Sequence, residues 1–187
     1  KLLTKDERFT TENTVVYAVG TKGRDSVERE GYTIAGDYSE AINEPLYADA
    51  SEIGKEVLSK FTMGEIGEIY LIYTIFKNTM VQIPTMMKLL PINASDITAD
   101  AEDVEENPID RITLMNYEPA PEEALNAIIP KYVNSLIFGG LVESHASENG
   151  ARMQAMDSAT SNAEEMISDL SLKYNRARQA SITQELT

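Results

Sequence analysis

The sequence predicts an α/β fold in two parts. A partial domain with a mostly parallel sheet covers residues 1–120, and one very long coiled-coil helix covers residues 121–187. Three observations predict it. Short β-branched runs ending in Gly alternate with helical segments in the first part. From Pro121 onward the chain reads as a single helix. Down that helix runs a path of small and apolar residues: Ile128, Tyr132, Leu136, Gly139, Val142, Ala146, Gly150, Met153, Met156, Ala159, Ala163, Met166, Leu170, Tyr174 and Ala177. Its 14 steps cover 49 residues, or 3.5 per step, the coiled-coil period rather than the 3.6 of a straight surface helix.

The elements follow in order. Thr14–Gly20 is apolar and β-branched and ends in Gly, as a buried parallel strand does. Arg24–Glu30 reads as a short helix broken by Gly31, and Tyr32–Tyr38 as a second strand. Ala48–Phe61 has helical spacing through Ile53, Val57, Leu58 and Phe61, and Gly64 and Gly67 punctuate its end. Glu68–Phe76 is the clearest strand, Val81–Leu89 another leading to Pro91, and Arg111–Tyr117 a last one closed by Pro119 and Pro121. Strands alternating with helices argue for a mostly parallel sheet, with an open edge or gap if one strand is missing. Pro130 removes one helical hydrogen bond and crowds the Asn126 carbonyl, so a kink or break is expected there, with the straight shaft starting near Lys131.

A helix spanning about 100 Å at ~1.5 Å per residue cannot be buried by so small a domain. Most of it must project. The small residues Gly139, Ala146, Gly150, Ala159, Ala163 and Ala177 call for a closely approaching partner helix. No other segment is long enough, so the partner is expected to lie outside this chain, and Lys1 in place of Met fits a fragment.

Composition narrows the function. A net charge of −15 argues against nucleic acid or an anionic membrane surface as partner. No run of about 18 apolar residues exists, so no direct membrane insertion is expected. With no Cys and one His, thiolate and structural zinc sites are not expected, nor is any cofactor. Between Asp96 and Asp110 lie seven carboxylates and no Lys or Arg. That run reads as a solvated loop, lacking the Gly of a calcium-binding loop.

Gly20-Thr21-Lys22-Gly23-Arg24-Asp25 follows a strand and opens a helix, and Asp37 closes the next strand, where a Rossmann-like fold holds its ribose-binding acid. The fingerprint needs Gly where Lys22 and Asp25 stand, and Asp25 would repel a pyrophosphate. A plain β-to-α turn is the reading. His145, the only histidine, lies mid-helix beside Ser144 and Ser147, which cannot share its face, so no catalytic residue is assigned. Met153 and Met156 suit a compliant interface. Lys173, Arg176 and Arg178 turn the helix end basic against the overall charge, as a contact with acidic groups or carbonyls would require.

Two runs on the helix, Ala146–Met156 and Tyr174–Leu186, with Leu89-Leu90-Pro91 and Tyr117-Glu118-Pro119 upstream, resemble the gamma subunit of F-type rotary ATP synthases. The likeness covers nearly all of the chain. The family's long N-terminal helix and first strand are absent, and the family usually continues past Thr187 with an Ile-Val/Ile-x-Gly-Ala run. The resemblance implies a non-catalytic central-stalk rotor, half of an antiparallel coiled coil. It would couple proton-driven rotation to conformational change in a hexamer of catalytic and non-catalytic subunits. It further implies contact of Arg178, Gln179, Thr183 and Glu185 with that hexamer. Met115, Tyr117 and Glu118 would contact a proton-translocating membrane ring, near the epsilon subunit, peripheral to the cytoplasmic face of a bacterial membrane. The alternatives are a small α/β nucleotide-binding enzyme with a helical tail, marked by saturable nucleotide binding, and a generic coiled-coil adaptor, which leaves the Tyr174–Leu186 run unexplained.

Overall fold

The computed structural model describes residue 3, residues 6–92 and residues 121–185. The strand expected over 111–117, the acidic run 96–110 and Met115, Tyr117 and Glu118 lie outside the described residues.

The order is β1 (Val15–Ala18), α1 (Thr21–Arg29), β2 (Thr33–Asp37), α2 (Tyr47–Thr62), β3 (Ile69–Phe76), β4 (Gln82–Leu90) and α3 (Pro121–Glu185). Gly20, at φ 90°, turns the chain out of β1, so α1 starts at Thr21 rather than at Arg24. Asp49 in the first turn of α2 accepts from the Leu46 N–H at 3.4 Å and sits favourably at the positive end of the helix dipole.

Strands β1 and β2 pair in parallel through the α1 crossover, from Val15↔Thr33 to Ala18↔Asp37. Strands β3 and β4 form an antiparallel hairpin, Ile69↔Leu90 to Phe76↔Gln82, in a second two-stranded sheet. The expected mostly parallel sheet is therefore half antiparallel among the described residues. The reason is loop length: residues 77–81 are too few for a parallel crossover, which takes a dozen or more. The Asn78 side chain shapes that turn by accepting from the N–H groups of Met80 and Val81 at 3.0 and 2.7 Å.

The core is built from three sources. Helix α2 contributes Ala50, Ile53 and Val57, the hairpin Ile69, Leu89 and Leu90, and α3 Val133, Ile137 and Leu141. Helix α3 is continuous through Pro130, so the expected break is absent. Pro130 and Asn126 are exposed, which leaves the freed carbonyl open to water.

Side chains of α3 hydrogen-bond the edge of β3 that faces away from β4. Ser144 Oγ accepts from the Thr74 N–H at 3.2 Å, Ser147 Oγ donates to the Thr74 carbonyl at 3.1 Å, and Glu143 Oε2 accepts from the Phe76 N–H at 2.8 Å. Because the polar groups of Thr74 face α3, its partner across the hairpin, Pro84, occupies a non-hydrogen-bonded pair. The N–H that Pro lacks thus falls on the outer edge of β4, where its loss blunts further strand pairing. Glycines permit this approach. A Cβ on Gly140 would lie 3.0 Å from Leu71 Cδ2, and one on Gly150 only 2.7 Å from Phe76 Cε2.

Ser147 is buried at 4% exposure. Ser147→Ala should therefore destabilise the chain by about 1–2 kcal/mol, since it strips the Thr74 carbonyl of its donor in a buried site. Urea unfolding followed by circular dichroism measures this; an unchanged midpoint would show that this edge contact adds no stability.

Candidate interaction surface

Between residues 132 and 150, α3 carries two apolar stripes. Val133, Ile137, Gly140, Ser144 and Ser147 face the packed residues 6–92, called the foot below, and recur every 3.5 residues. The stripe read from the sequence lies beside it, with Ile128, Tyr132, Gly139 and Val142 exposed. Sequence reasoning missed the foot-facing stripe because both share one period and differ by a single residue of phase.

Beyond Gly150 the helix leaves the foot. Every described residue from 151 to 184 is exposed, a projection on the order of 50 Å. Along it stand Met153, Met156, Met166, Leu170 and Tyr174, each more than half exposed, together with Ile167 and Ile182 on flanking positions. A soluble monomer rarely shows so long an apolar band, which marks the seam as an interaction surface.

The tip gathers the predicted contact residues. Gln179 and Thr183 stand one turn apart, with Arg178 beside Gln179, and the helix runs on to Glu185. The Thr183 hydroxyl donates to the Gln179 carbonyl at 2.8 Å. Among the described residues no ion pair engages Lys173, Arg176 or Arg178, so the tip presents positive charge on an acidic chain. The Arg178 guanidinium is a planar fork suited to carboxylate or carbonyl oxygens.

The groups weighed for chemistry are committed to structure. His145 Nδ1 stands 2.7 Å from the Ile42 carbonyl, which can only accept, so Nδ1 carries the proton. Nε2 then accepts from Asn149 Nδ2 at 2.9 Å, while Arg152 donates to Asn149 Oδ1 at 2.8 Å and fixes that amide. This leaves no free base. At the β1–α1 turn, Arg24 donates to Asp37 at 2.9 Å and pairs with Asp25 at 3.0 Å, and Ser39 also donates to Asp37. The carboxylate that would hold a ribose is thereby occupied, and its pKa is held low by Ser39 and Arg24.

A carboxylate clamp fastens the parallel pair to α2. Glu56 accepts from the Tyr17 and Tyr38 hydroxyls, each at 2.9 Å, and Lys60 lies 3.5 Å from the same carboxylate. The two phenols hold Glu56 below the usual carboxylate range. Burial and the Glu56 hydrogen bond push Tyr38 up to about 12. Nothing in the sequence pattern signalled this cluster, because its members sit on three different elements.

A family model described as ATP synthase matches residues 1–187. An ATP synthase gamma chain of Lachnoclostridium phytofermentans is 65% identical over 176 residues, covering 94% of this chain and 60% of that protein. The chain belongs to the ATP synthase gamma chain family. A gamma chain of Acetobacterium woodii, described as sodium ion specific, is 43% identical over 185 residues, covering 94% of this chain and 61% of that one. The chain thus spans about 60% of the length of these curated gamma chains. Among solved structures, the fold is similar to one chain of a Tetrahymena thermophila mitochondrial ATP synthase structure described as central stalk and c-ring. That match has a TM-score of 0.57 and 22% identity, covering 84% of this chain and 67% of that one. The Euglena gracilis rotor gives the same TM-score at 14% identity over 97% of this chain and 67% of that one.

The clamp sets a pH dependence at both ends. Glu56 has a lowered folded pKa, so its stabilisation is present above the ordinary value of 4.5 and is lost as pH falls through the folded value. Tyr38 has a raised one, so its stabilisation is present below 10.0 and is lost as pH rises toward about 12. Tyr38→Phe should flatten the alkaline fall in melting temperature between pH 10 and 12, and Glu56→Gln the acid fall. Melting curves parallel to the parent at both extremes would contradict the clamp.

Proposed function

We propose that this chain is the non-catalytic central-stalk rotor of a rotary ATP synthase, with residues 6–92 in the foot and α3 as one strand of the shaft. The observation that carries the reading is the bare helix over residues 151–184, an apolar seam on a rigidly held foot ending in a basic tip. Family membership supports it, as does the likeness of fold to the stalk structures.

In this reading the shaft pairs with an antiparallel helix along the seam and sits inside the hexamer of catalytic and non-catalytic subunits. Arg178, Gln179, Thr183 and Glu185 touch hexamer loops. Met115, Tyr117 and Glu118 meet the membrane ring, near the epsilon subunit, on the cytoplasmic face of a bacterial membrane. Rotation drives synthesis only if the shaft binds the catalytic conformations with different free energies, and a helix pair with unlike faces presents a different surface at each angle. The driving ion is proposed to be the proton. A relative at 43% identity is described as sodium ion specific, so sodium is the alternative to test.

The test uses the full-length gene product with purified catalytic and non-catalytic subunits. A co-eluting complex with raised, multi-site ATP hydrolysis is expected; failure both to co-elute and to change hydrolysis would overturn the rotor reading in favour of nucleotide binding by the chain alone. In the assembled complex, Arg178→Ala should lower coupled hydrolysis about 10- to 100-fold, matching the loss of one charge-assisted contact of roughly 1.5–3 kcal/mol. Arg178→Lys should fall between. Full activity in Arg178→Ala would remove this residue from the contact.

A further inference from the structure

Asn134 is the one buried polar side chain in the stretch Val133–Leu141, at 7% exposure between Val133 and Ile137. Its Nδ2 donates to Ser51 Oγ at 3.3 Å, while Oδ1 accepts no hydrogen bond among the described residues. The carboxamide lies over Gly54 of α2. A Cβ on Gly54 would stand 1.9 Å from Oδ1 and 3.0 Å from Cγ, so any side chain there would push the carboxamide out of this seat.

We infer that the Asn134 carboxamide, seated in the Gly54 notch, is the register key that fixes the shaft helix on the foot, and that it makes foot and shaft turn as one body. Leucine would bury more apolar surface at 134 and leave no orphaned oxygen. The polar choice costs stability and gains specificity, as a single buried Asn does in a coiled-coil seam. A slip of one turn would bring Ile137, Phe138 or Lys131 over the notch, and would set the carboxamide against Ala50 or Leu58 instead. Neither neighbour offers a notch. The purely apolar contacts of Ile53, Val57, Val133 and Ile137 impose no such penalty and tolerate sliding.

The functional half of this inference rests on the rotor reading, and the experiment separates the two. Spin labels are placed on cysteines at the exposed positions Lys55 and Asp157 of the full-length chain, and their separation is measured by pulsed electron resonance with Asn134 present, as Asn134→Leu and as Asn134→Ala. The parent should give one narrow distance. Both variants should melt cooperatively with a distance that broadens or moves by up to about 5.4 Å, one helical turn. In the assembled complex the ions moved per ATP hydrolysed should fall. An unchanged narrow distance in either folded variant overturns the key, and so does failure of both to fold, which would make Asn134 a stability residue. A displaced distance with unchanged coupling leaves the key standing and overturns its link to rotation.

Discussion

The structure depends on the close grip of the foot on α3 between Val133 and Gly150. That grip is possible because side chains seat against bare glycines: Asn134 on Gly54 of α2, Leu71 on Gly140 and Phe76 on Gly150 of α3. Once α3 lies this near, its side chains Glu143, Ser144 and Ser147 hydrogen-bond the edge of β3 that faces away from β4. The grip also explains how the naked half of the helix persists. Nucleating a helix is costly and extending one is not. The foot fixes the first turns by tertiary contact, and the chain propagates outward with only local support, such as Arg152 with Glu148 and Thr160 with the Met156 carbonyl.

Much of this was legible in the sequence, because hydrophobic period and Gly punctuation are local signals. Strands β1 to β4, both foot helices and the long helix fall where the pattern put them. The apolar band down the long helix was legible for the same reason, and it is exposed over residues 151–184. What escaped detection was non-local. The direction of β4 follows from a short loop rather than from its own residues. The foot-facing stripe overlaps the seam in phase. Asn134 reads as an ordinary helix-surface residue until Gly54, eighty positions earlier, is placed beneath it. Of the kink or break expected at Pro130, the break does not occur, because the exposed Pro130 and Asn126 leave the freed carbonyl to water, which the pattern does not reveal.

The two halves of α3 divide the labour. The inner half is held by small residues and buried polar contacts that admit one arrangement. The outer half offers a Met-, Leu- and Tyr-lined seam and a positively charged tip to other chains. Such a molecule suits transmission of a rotation: a stiff joint at one end, and at the other a surface whose chemistry changes with angle. The clamp of Tyr17 and Tyr38 on Glu56 extends the stiffness inward, tying the parallel pair to the helix that carries the Gly54 notch.

The most direct measurement of the central claim is rotation itself. A gold particle attached through a cysteine at Met80, the exposed tip of the β3–β4 turn, would be watched on surface-held hexamers containing the full-length chain. Stepwise, one-directional turning on addition of ATP is the predicted result. Steady ATP hydrolysis by the same complexes with a particle that never turns would contradict the account.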